Sequence, residues 1–106
     1  MAKTVFIKDT AITAIVGSQD FTAVLAHEFL KQQGVAVPGQ ISLCGFDNAQ
    51  VSIVDDLTSY NFLFNSIAAD AVAYIINPSA PAFAGRQRIE CSGTIMQRNT
   101  TGKAPR

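Results

Sequence analysis

The chain has 106 residues and no formal net charge; 48% of its side chains are hydrophobic and only 15% are charged. This length allows one domain with a substantial core. The composition excludes a disordered tail and a disulfide-dense secreted scaffold. No apolar run approaches the roughly 20 residues that a membrane-spanning helix needs. The first residues do not resemble a signal peptide, so we expect a cytoplasmic protein with no membrane partner.

The distribution of charge argues against nucleic-acid binding. From Gln32 to Gly85 there is no lysine or arginine, whereas four aspartates lie in that stretch. A surface that binds phosphates needs clustered basic side chains. We interpret the late basic residues as a solvated terminus. They are Arg86, Arg88, Arg98, Lys103 and Arg106.

The first half of the chain predicts a strand, a helix and a second strand. Residues 12–16 form a short β-branched apolar run typical of a buried strand. Asp20 is placed to cap a helix whose apolar stripe ends near Gly34. The near-continuous apolar run over 41–46 predicts a strand covered on both faces, as in a parallel sheet. This pattern predicts an α/β fold.

The second half predicts one more helix and two extended segments. The turn at Asp55–Asp56 is interpreted as a solvated charge pair, and residues 57–60 as a short extended piece. Apolar residues recur at helical spacing from 62 to 76. Alternation over 88–97 predicts a final strand. From Thr100 onward we expect a frayed end.

Polar side chains follow both early strands where each strand ends. They are Gln19, Asp20, Asp47 and Asn48. Open α/β sheets bind ligands at the carboxyl ends of their strands, and these side chains can hydrogen-bond hydroxyl groups. For Asp20, capping and ligand contact are equally favoured. For Asp47, ligand contact or fixing of the loop is favoured over a simple turn-forming role.

Nothing in the sequence predicts catalysis, a metal or a cofactor. His27 lies in mid-helix without a visible acid partner, so we interpret it as a surface or interface residue. Cys44 and Cys91 lie in strand-like runs without a CxxC spacing, which favours inert packing. One histidine and two scattered cysteines do not make a zinc site. We expect a protein that is not an enzyme.

A set of short motifs at fixed spacing resembles the LacI/GalR family of sugar-responsive transcription regulators. The set consists of Thr13-Ala-Ile15, Gln19-Asp20, Ala23, Leu30, Gly34, Val37-Pro38, Ile41-Ser42, Gly45-Phe46-Asp47 and Leu57-Thr58. Ile95, Arg98 and Thr100 resemble the family's closing signature. We therefore divide the chain into a lead-in (1–11), the C-terminal segment of an effector-binding and dimerisation domain (12–100) and a tail (101–106).

The resemblance implies an incomplete three-layer, doubly wound parallel sheet of the type I periplasmic-binding-protein kind. In that fold an effector cleft lies between two lobes. Residues 12–60 would belong to the lobe distal to DNA, the helix over 62–77 would cross to the other lobe, and the last strand would return. The DNA-binding helix-turn-helix and the first lobe have no counterpart before Thr13, so the chain resembles the final third of such a core.

The site residues follow from the motif positions. The expected ligand-contact residues are Gln19, Asp20, Asp47, Phe62 and Phe64. The family's dimer-contact helix corresponds to the helix that carries Val24, Leu25 and His27. Gln19, Asn48 and Phe62 stand where the family usually has Asn, Asp and Gln, so the preferred sugar cannot be transferred. Leu25 in place of a small Gly alters the helix contact.

Together these features imply an effector-sensing and dimerisation part of a LacI/GalR-type regulator. Its partners would be a small-molecule effector such as a sugar, a second copy of the chain, and DNA only through a missing N-terminal domain. Two alternatives remain. One is a C-terminal lobe fragment of a transporter's periplasmic sugar-binding protein, and the other is a truncated chain that only folds or associates.

Overall fold

The computed structural model describes residues 11–105 with the exception of Gln87. Nearly all of the predicted lead-in therefore lies outside the described residues. In chain order the elements are β1 (Ala14–Val16), α1 (Asp20–Gln32), β2 (Ser42–Phe46), α2 (Gln50–Val54), β3 (Thr58–Asn61), α3 (Phe64–Ile76) and β4 (Thr94–Met96).

The four strands form one sheet in the order β1-β2-β3-β4. The first three strands are parallel, and β4 runs antiparallel to β3. The predicted α/β fold is confirmed, with a sheet that is mixed because of its last strand. The carboxyl ends of β1, β2 and β3 consequently meet at one edge, where the chain also enters β4.

The core lies between α1 and the sheet. Ala23, Leu43 and Leu57 are fully buried there. Close packing depends on Gly17, because a Cβ atom at that position would lie 2.8 Å from the Ala23 Cβ atom. The side chains packed around this cluster are Ile15, Val24, Ala26 and Val37.

The start of α1 differs from the sequence prediction. The helix begins at Asp20, but no side chain caps it, and its N-cap residue is the extended Gln19. The Asp20 carboxylate instead accepts hydrogen bonds from the Ser59 hydroxyl and the Ala49 backbone N–H. The capping prediction is therefore wrong: the side chain is used for a tertiary contact. Helix α2, which follows Ala49, was not predicted, since five residues are too few to show a helical period.

His27 has an acid partner, contrary to the sequence-based interpretation. Its imidazole is 11% exposed, and its Nδ1 atom lies 2.6 Å from Oδ2 of Asp55. Lys31 Nζ lies 4.0 Å from the other oxygen of that carboxylate. Asp55 is thus not simply a solvated charge. It connects α1 to the turn that follows α2, and only its neighbour Asp56 is exposed.

The prediction of a frayed end from Thr100 onward is wrong for residues 100–102. Thr100 is buried; its hydroxyl donates to the Leu43 carbonyl at 2.7 Å and accepts the Thr58 N–H at 2.9 Å. The Leu43 N–H in turn donates to the Thr100 carbonyl. Gly102 N–H donates to the Ser42 hydroxyl at 3.1 Å. The segment is therefore bonded to β2 and to the start of β3.

Helix α3 extends away from this core. None of its residues is buried. It packs along the return segment (83–86 and 88–91), where the Tyr74 and Phe83 ring centroids are 5.5 Å apart. The molecule measures 57 × 26 × 25 Å. Its radius of gyration is 18.5 Å, against about 13 Å for a compact chain of this length. Of the strand predicted over 88–97, only Thr94–Met96 forms.

Candidate functional site

The ends of the three parallel strands place the predicted polar and aromatic residues along one edge of the sheet. The backbone hydrogen bonds continue past the strands there, with Gly17 N–H donating to the Cys44 carbonyl and Asp47 N–H to the Tyr60 carbonyl. Gln19 follows β1 and is exposed, and Asp47 follows β2 and is half-buried. This edge is where an open α/β sheet binds ligands.

The Asp47–Asn48 turn has an unusual backbone. Its φ angles are 105° and 50°, which lie in the left-handed region that residues other than glycine rarely adopt. Besides the bond from the Asp47 N–H to the Tyr60 carbonyl, the turn is held by a bond from the Asn48 N–H to the Ser59 hydroxyl at 2.9 Å and one from Arg98 Nη2 to Asn48 Oδ1 at 2.6 Å. Strained backbone maintained by its surroundings is typical of functional sites.

Arg98 connects this turn to α2 and to the start of β3. Besides Asn48, its guanidinium donates to the Leu57 carbonyl at 2.7 Å and to the Ser52 hydroxyl at 3.1 Å. The interpretation of Arg98 as part of a solvated terminus is therefore wrong. Composition alone could not reveal this role; the only signal was its place in the closing motif of the LacI/GalR resemblance.

Asp20 supports the same loop from the inside. Its side chain is 1% exposed, and its two oxygens accept the Ser59 hydroxyl at 2.6 Å and the Ala49 N–H at 2.7 Å. Gly45 makes room for the carboxylate, because a Cβ atom there would lie 2.5 Å from Asp20 Oδ1. Both carboxylate oxygens of Asp20 thus already have partners within the chain. The carboxylate of Asp47, by contrast, accepts no hydrogen bond from the described residues.

Aromatic rings form a cluster beside the turn. Phe62 lies at its centre: its ring is 5.9 Å from Phe46, 4.9 Å from Tyr60 and 5.5 Å from Phe64. Two of these rings, Phe46 and Tyr60, were not among the predicted site residues. The sequence contained a signal for them, since the predicted segments over 41–46 and 57–60 each end in an aromatic residue. In the structure, the parallel register of β2 and β3 places these two residues side by side.

A cavity of about 300 Å³ opens next to the cluster, at the lower end of the size range of ligand pockets. Its lining consists of amides, a hydroxyl and apolar side chains and carries no charge; the residues are Asn48, Asn61, Leu63, Phe64, Asn65 and Ser66. The Asn61 side-chain oxygen accepts the Leu63 N–H at 2.9 Å. Leu63 itself has a φ of 58°, where the chain turns from β3 into α3.

The predicted dimer-contact residues on α1 differ in exposure. Leu25 is 56% exposed. Val24 packs against the core, and His27 is buried against Asp55. Of the three, Leu25 alone presents most of its side chain on the outer surface of the helix.

Both thiols are shifted toward the protonated form. Burial raises the pKa of Cys44. The hydrogen bond to Asp70, followed by burial and the negative charge of that residue, raises the pKa of Cys91. Among the described residues, no three His, Cys, Asp or Glu side chains lie close enough to hold a metal ion. No helix in the described part of the chain is long and apolar enough to cross a membrane.

The chain matches the periplasmic binding protein-like domain family over residues 3–101, and it belongs to that family. A comparison with curated protein sequences finds no match. Among solved structures it is similar to the transcriptional repressor AscG of Escherichia coli, with 27% identity and a TM-score of 0.70 over 83% of this chain and 33% of that one.

Two further structures show the same architecture. A LacI-type transcription regulator from Bifidobacterium animalis subsp. lactis is 25% identical, with a TM-score of 0.73 over 96% of this chain and 38% of that one. A periplasmic binding protein/LacI transcriptional regulator from Alkaliphilus metalliredigens, complexed with D-xylulofuranose, is 20% identical, with a TM-score of 0.71 over 94% and 38%. The resemblance to LacI-family regulators is confirmed. The chain spans between a third and two fifths of the length of these structures.

Proposed function

We propose that this chain is the effector-sensing and dimerisation part of a LacI/GalR-type transcription regulator, and that its effector is a sugar or a related metabolite. The observation that carries the proposal is the strained Asp47–Asn48 turn beside the aromatic cluster at the carboxyl ends of three parallel strands. The regulator would act in the cytoplasm and reach DNA through a separate N-terminal domain.

The chemistry of this edge suits a polyhydroxylated, uncharged ligand. The Asp47 carboxylate can accept hydrogen bonds from adjacent hydroxyls, and the Gln19 amide can both donate and accept. Phe62 and Phe64 supply flat apolar surfaces for the C–H faces of a sugar ring. Asp20 and Arg98 act as positioning residues, since their polar groups bind the loop itself. The D-xylulofuranose bound to the Alkaliphilus metalliredigens protein supports this ligand class.

A ligand at this edge would couple the sheet to helix α3. The chain leaves the sheet through Asn61–Leu63 and returns through Gly93, and the Gly93 N–H donates to the Tyr60 hydroxyl at 2.9 Å. A sugar held by both Asp47 and Phe64 would bridge the sheet and the base of α3. The bound sugar would therefore favour one orientation of α3 relative to the sheet. Allosteric regulation requires a ligand that shifts the equilibrium between two conformations in this way.

Titration with a panel of neutral pentoses and hexoses, followed by amide NMR, tests the proposal. We expect one or more of them to shift the amides of Asp47, Asn48 and Asn61 with a millimolar dissociation constant, because this chain supplies only one side of a cleft. Asp47→Asn should abolish the shifts. The matched variant Asp56→Asn, in the exposed turn after α2, should not.

Two results would contradict this function. One is that no sugar in the panel shifts any amide of this edge. The other is that shifts occur equally in wild type and in Asp47→Asn. Micromolar binding would overturn the narrower statement that the chain supplies only one side of the cleft, and calorimetry would detect it.

A further inference from the structure

The aromatic cluster beside the Asp47–Asn48 turn ends in a half-exposed ring. The ring of Phe62 is stacked between Phe46 and Phe64, with interplanar angles of 27° and 28°. Among the described residues, Phe64 has a ring contact with Phe62 only; it is 55% exposed and lines the cavity next to the turn. Aromatic rings prefer offset stacking, so a further planar ring can extend this column at Phe64.

Two amides that line the cavity have their oxygens already in use. Asn48 Oδ1 accepts a hydrogen bond from Arg98 Nη2 at 2.6 Å, and Asn61 Oδ1 accepts the Leu63 N–H at 2.9 Å. The Nδ2 atoms of both side chains have no partner in the part of the chain that the structure describes. An amide nitrogen only donates, so the cavity wall carries two donors whose orientation is fixed through the oxygens.

The polar groups at this edge therefore divide into two kinds. Beside Phe64 the cavity offers amide donors and a flat apolar ring, whereas the Asp47 carboxylate offers only acceptors. A ligand that matches both parts carries hydrogen-bond acceptors on a planar ring and hydroxyl donors on a second part. A free pentose or hexose has hydroxyls on every side and no planar ring. A base joined to ribose has both features, since nucleobases stack on aromatic side chains and present ring nitrogens and carbonyl oxygens at their edges.

We propose that the effector of this site is a nucleoside. Its base stacks on Phe64 and sets its acceptor atoms against the amides of Asn48 and Asn61, while the ribose hydroxyls donate to Asp47. This inference rests on the proposed effector-sensing function and narrows its ligand from sugars in general to a pentose that carries a planar base.

Titration of the chain with adenosine, uridine and D-ribose, followed by amide NMR, tests the contribution of the base. One of the nucleosides should bind about 10-fold or more tightly than D-ribose, because stacking of a base on an aromatic side chain contributes that much. Phe64→Leu should lower the affinity for this nucleoside to near that of D-ribose for the wild type. Phe21→Leu on α1, where the side chain is 61% exposed, is the matched control and should change nothing. Both positions are exposed, so the fold should survive, and circular dichroism verifies this.

Asn61→Asp tests whether the cavity donates to a base or accepts from a sugar. The variant keeps an oxygen for the Leu63 N–H but replaces the Nδ2 donor by a second acceptor. An acceptor atom of a base loses its partner, so the dissociation constant of the nucleoside should rise about 10-fold. A sugar hydroxyl in the same place would instead donate to the new carboxylate, and the affinity would stay the same or increase.

The outcomes separate this proposal from the function on which it rests. D-Ribose that binds as tightly as both nucleosides overturns the nucleoside and leaves the sugar-sensing function in place. The same conclusion follows from a nucleoside affinity that Phe64→Leu leaves unchanged or that Asn61→Asp increases. If neither the nucleosides nor any sugar shifts an amide of this edge, both proposals are overturned.

Discussion

The two ends of this molecule differ in how many of their side chains they bury. We call residues 12–61 with 94–102 the sheet body and residues 62–93 the projection. In the sheet body, Asp20, Ser59 and Thr100 are buried, and each has hydrogen-bond partners. The sheet body also exposes large apolar side chains, among them Val54 and Ile95, but in the projection most of the large apolar side chains are exposed. Those of the projection are Leu63, Phe64, Ile67, Val72, Tyr74, Ile75, Ile76 and Ile89.

The contrast shows where the stability of the fold lies. The sheet body buries both its apolar cluster and its polar groups, so each desolvated donor is offset by an acceptor. The projection has one buried apolar residue, Phe83. A helix that is hydrophobic on every side is ordinarily a buried helix. Helix α3 therefore has the composition of a protein interior while it lies outside the core of this chain.

The largest expected difference between the two regions is in the cost of truncating an aliphatic side chain. Leu43 is fully buried, so Leu43→Ala should lower the free energy of unfolding by about 2–5 kcal/mol. Ile75 is 77% exposed in the projection, so Ile75→Ala should change it by less than about 0.5 kcal/mol. Urea unfolding at a protein concentration that keeps the chain monomeric measures both. Equal losses would mean that the projection shares the core of the sheet body.

A smaller loss is expected from the polar contacts at the end of the sheet body. Thr100→Val keeps the shape of the side chain but removes the partner of the Leu43 carbonyl and of the Thr58 N–H. Leaving buried backbone groups unpaired costs about 1–3 kcal/mol. The control is Thr94→Val, at an exposed position of β4, which should have almost no effect in the same urea experiment. An unchanged stability for Thr100→Val would mean that the segment after Arg98 contributes nothing to the fold.

The sheet body was predictable where its signals are local. The strands at 12–16 and 41–46 and the helix from Asp20 each show their own period and turn residues, and all three form with shifts of only a few residues at their ends. The helix at 62–76 was predictable for the same reason. The final strand was shorter than its alternation suggested, because only Thr94–Met96 pairs with a neighbouring strand.

The contacts that hold the candidate site were not predictable, because their partners lie far apart in sequence. Arg98 and Asn48 are separated by 50 residues, Asp20 and Ser59 by 39. No periodicity relates such pairs, and each residue has a common local role that explains it equally well. Motif spacing indicated the strand-end positions of Asp47 and Phe62, but which groups are already engaged within the chain required the structure.

The smallest expected effect concerns the contact that joins α3 to the return segment. The Asp70 hydrogen bond raises the pKa of Cys91, so at neutral pH less of the thiol is the reactive thiolate. Asp70→Asn removes the charge, and the pKa of Cys91 should fall toward its ordinary value. Alkylation of Cys91 by iodoacetamide should then become a few-fold faster near neutral pH.

The sign and the location of this effect can both be checked. Above the pKa of Cys91 in both forms the thiol is fully ionised, so the rates of wild type and Asp70→Asn should converge as the pH rises. Burial, and not Asp70, raises the pKa of Cys44, which makes that thiol an internal control in the sheet body. Mass spectrometry of the two cysteine peptides follows both reactions at once. If both thiols react faster in the variant, the substitution has loosened the sheet body as well, and the two regions are more closely coupled than their contacts indicate.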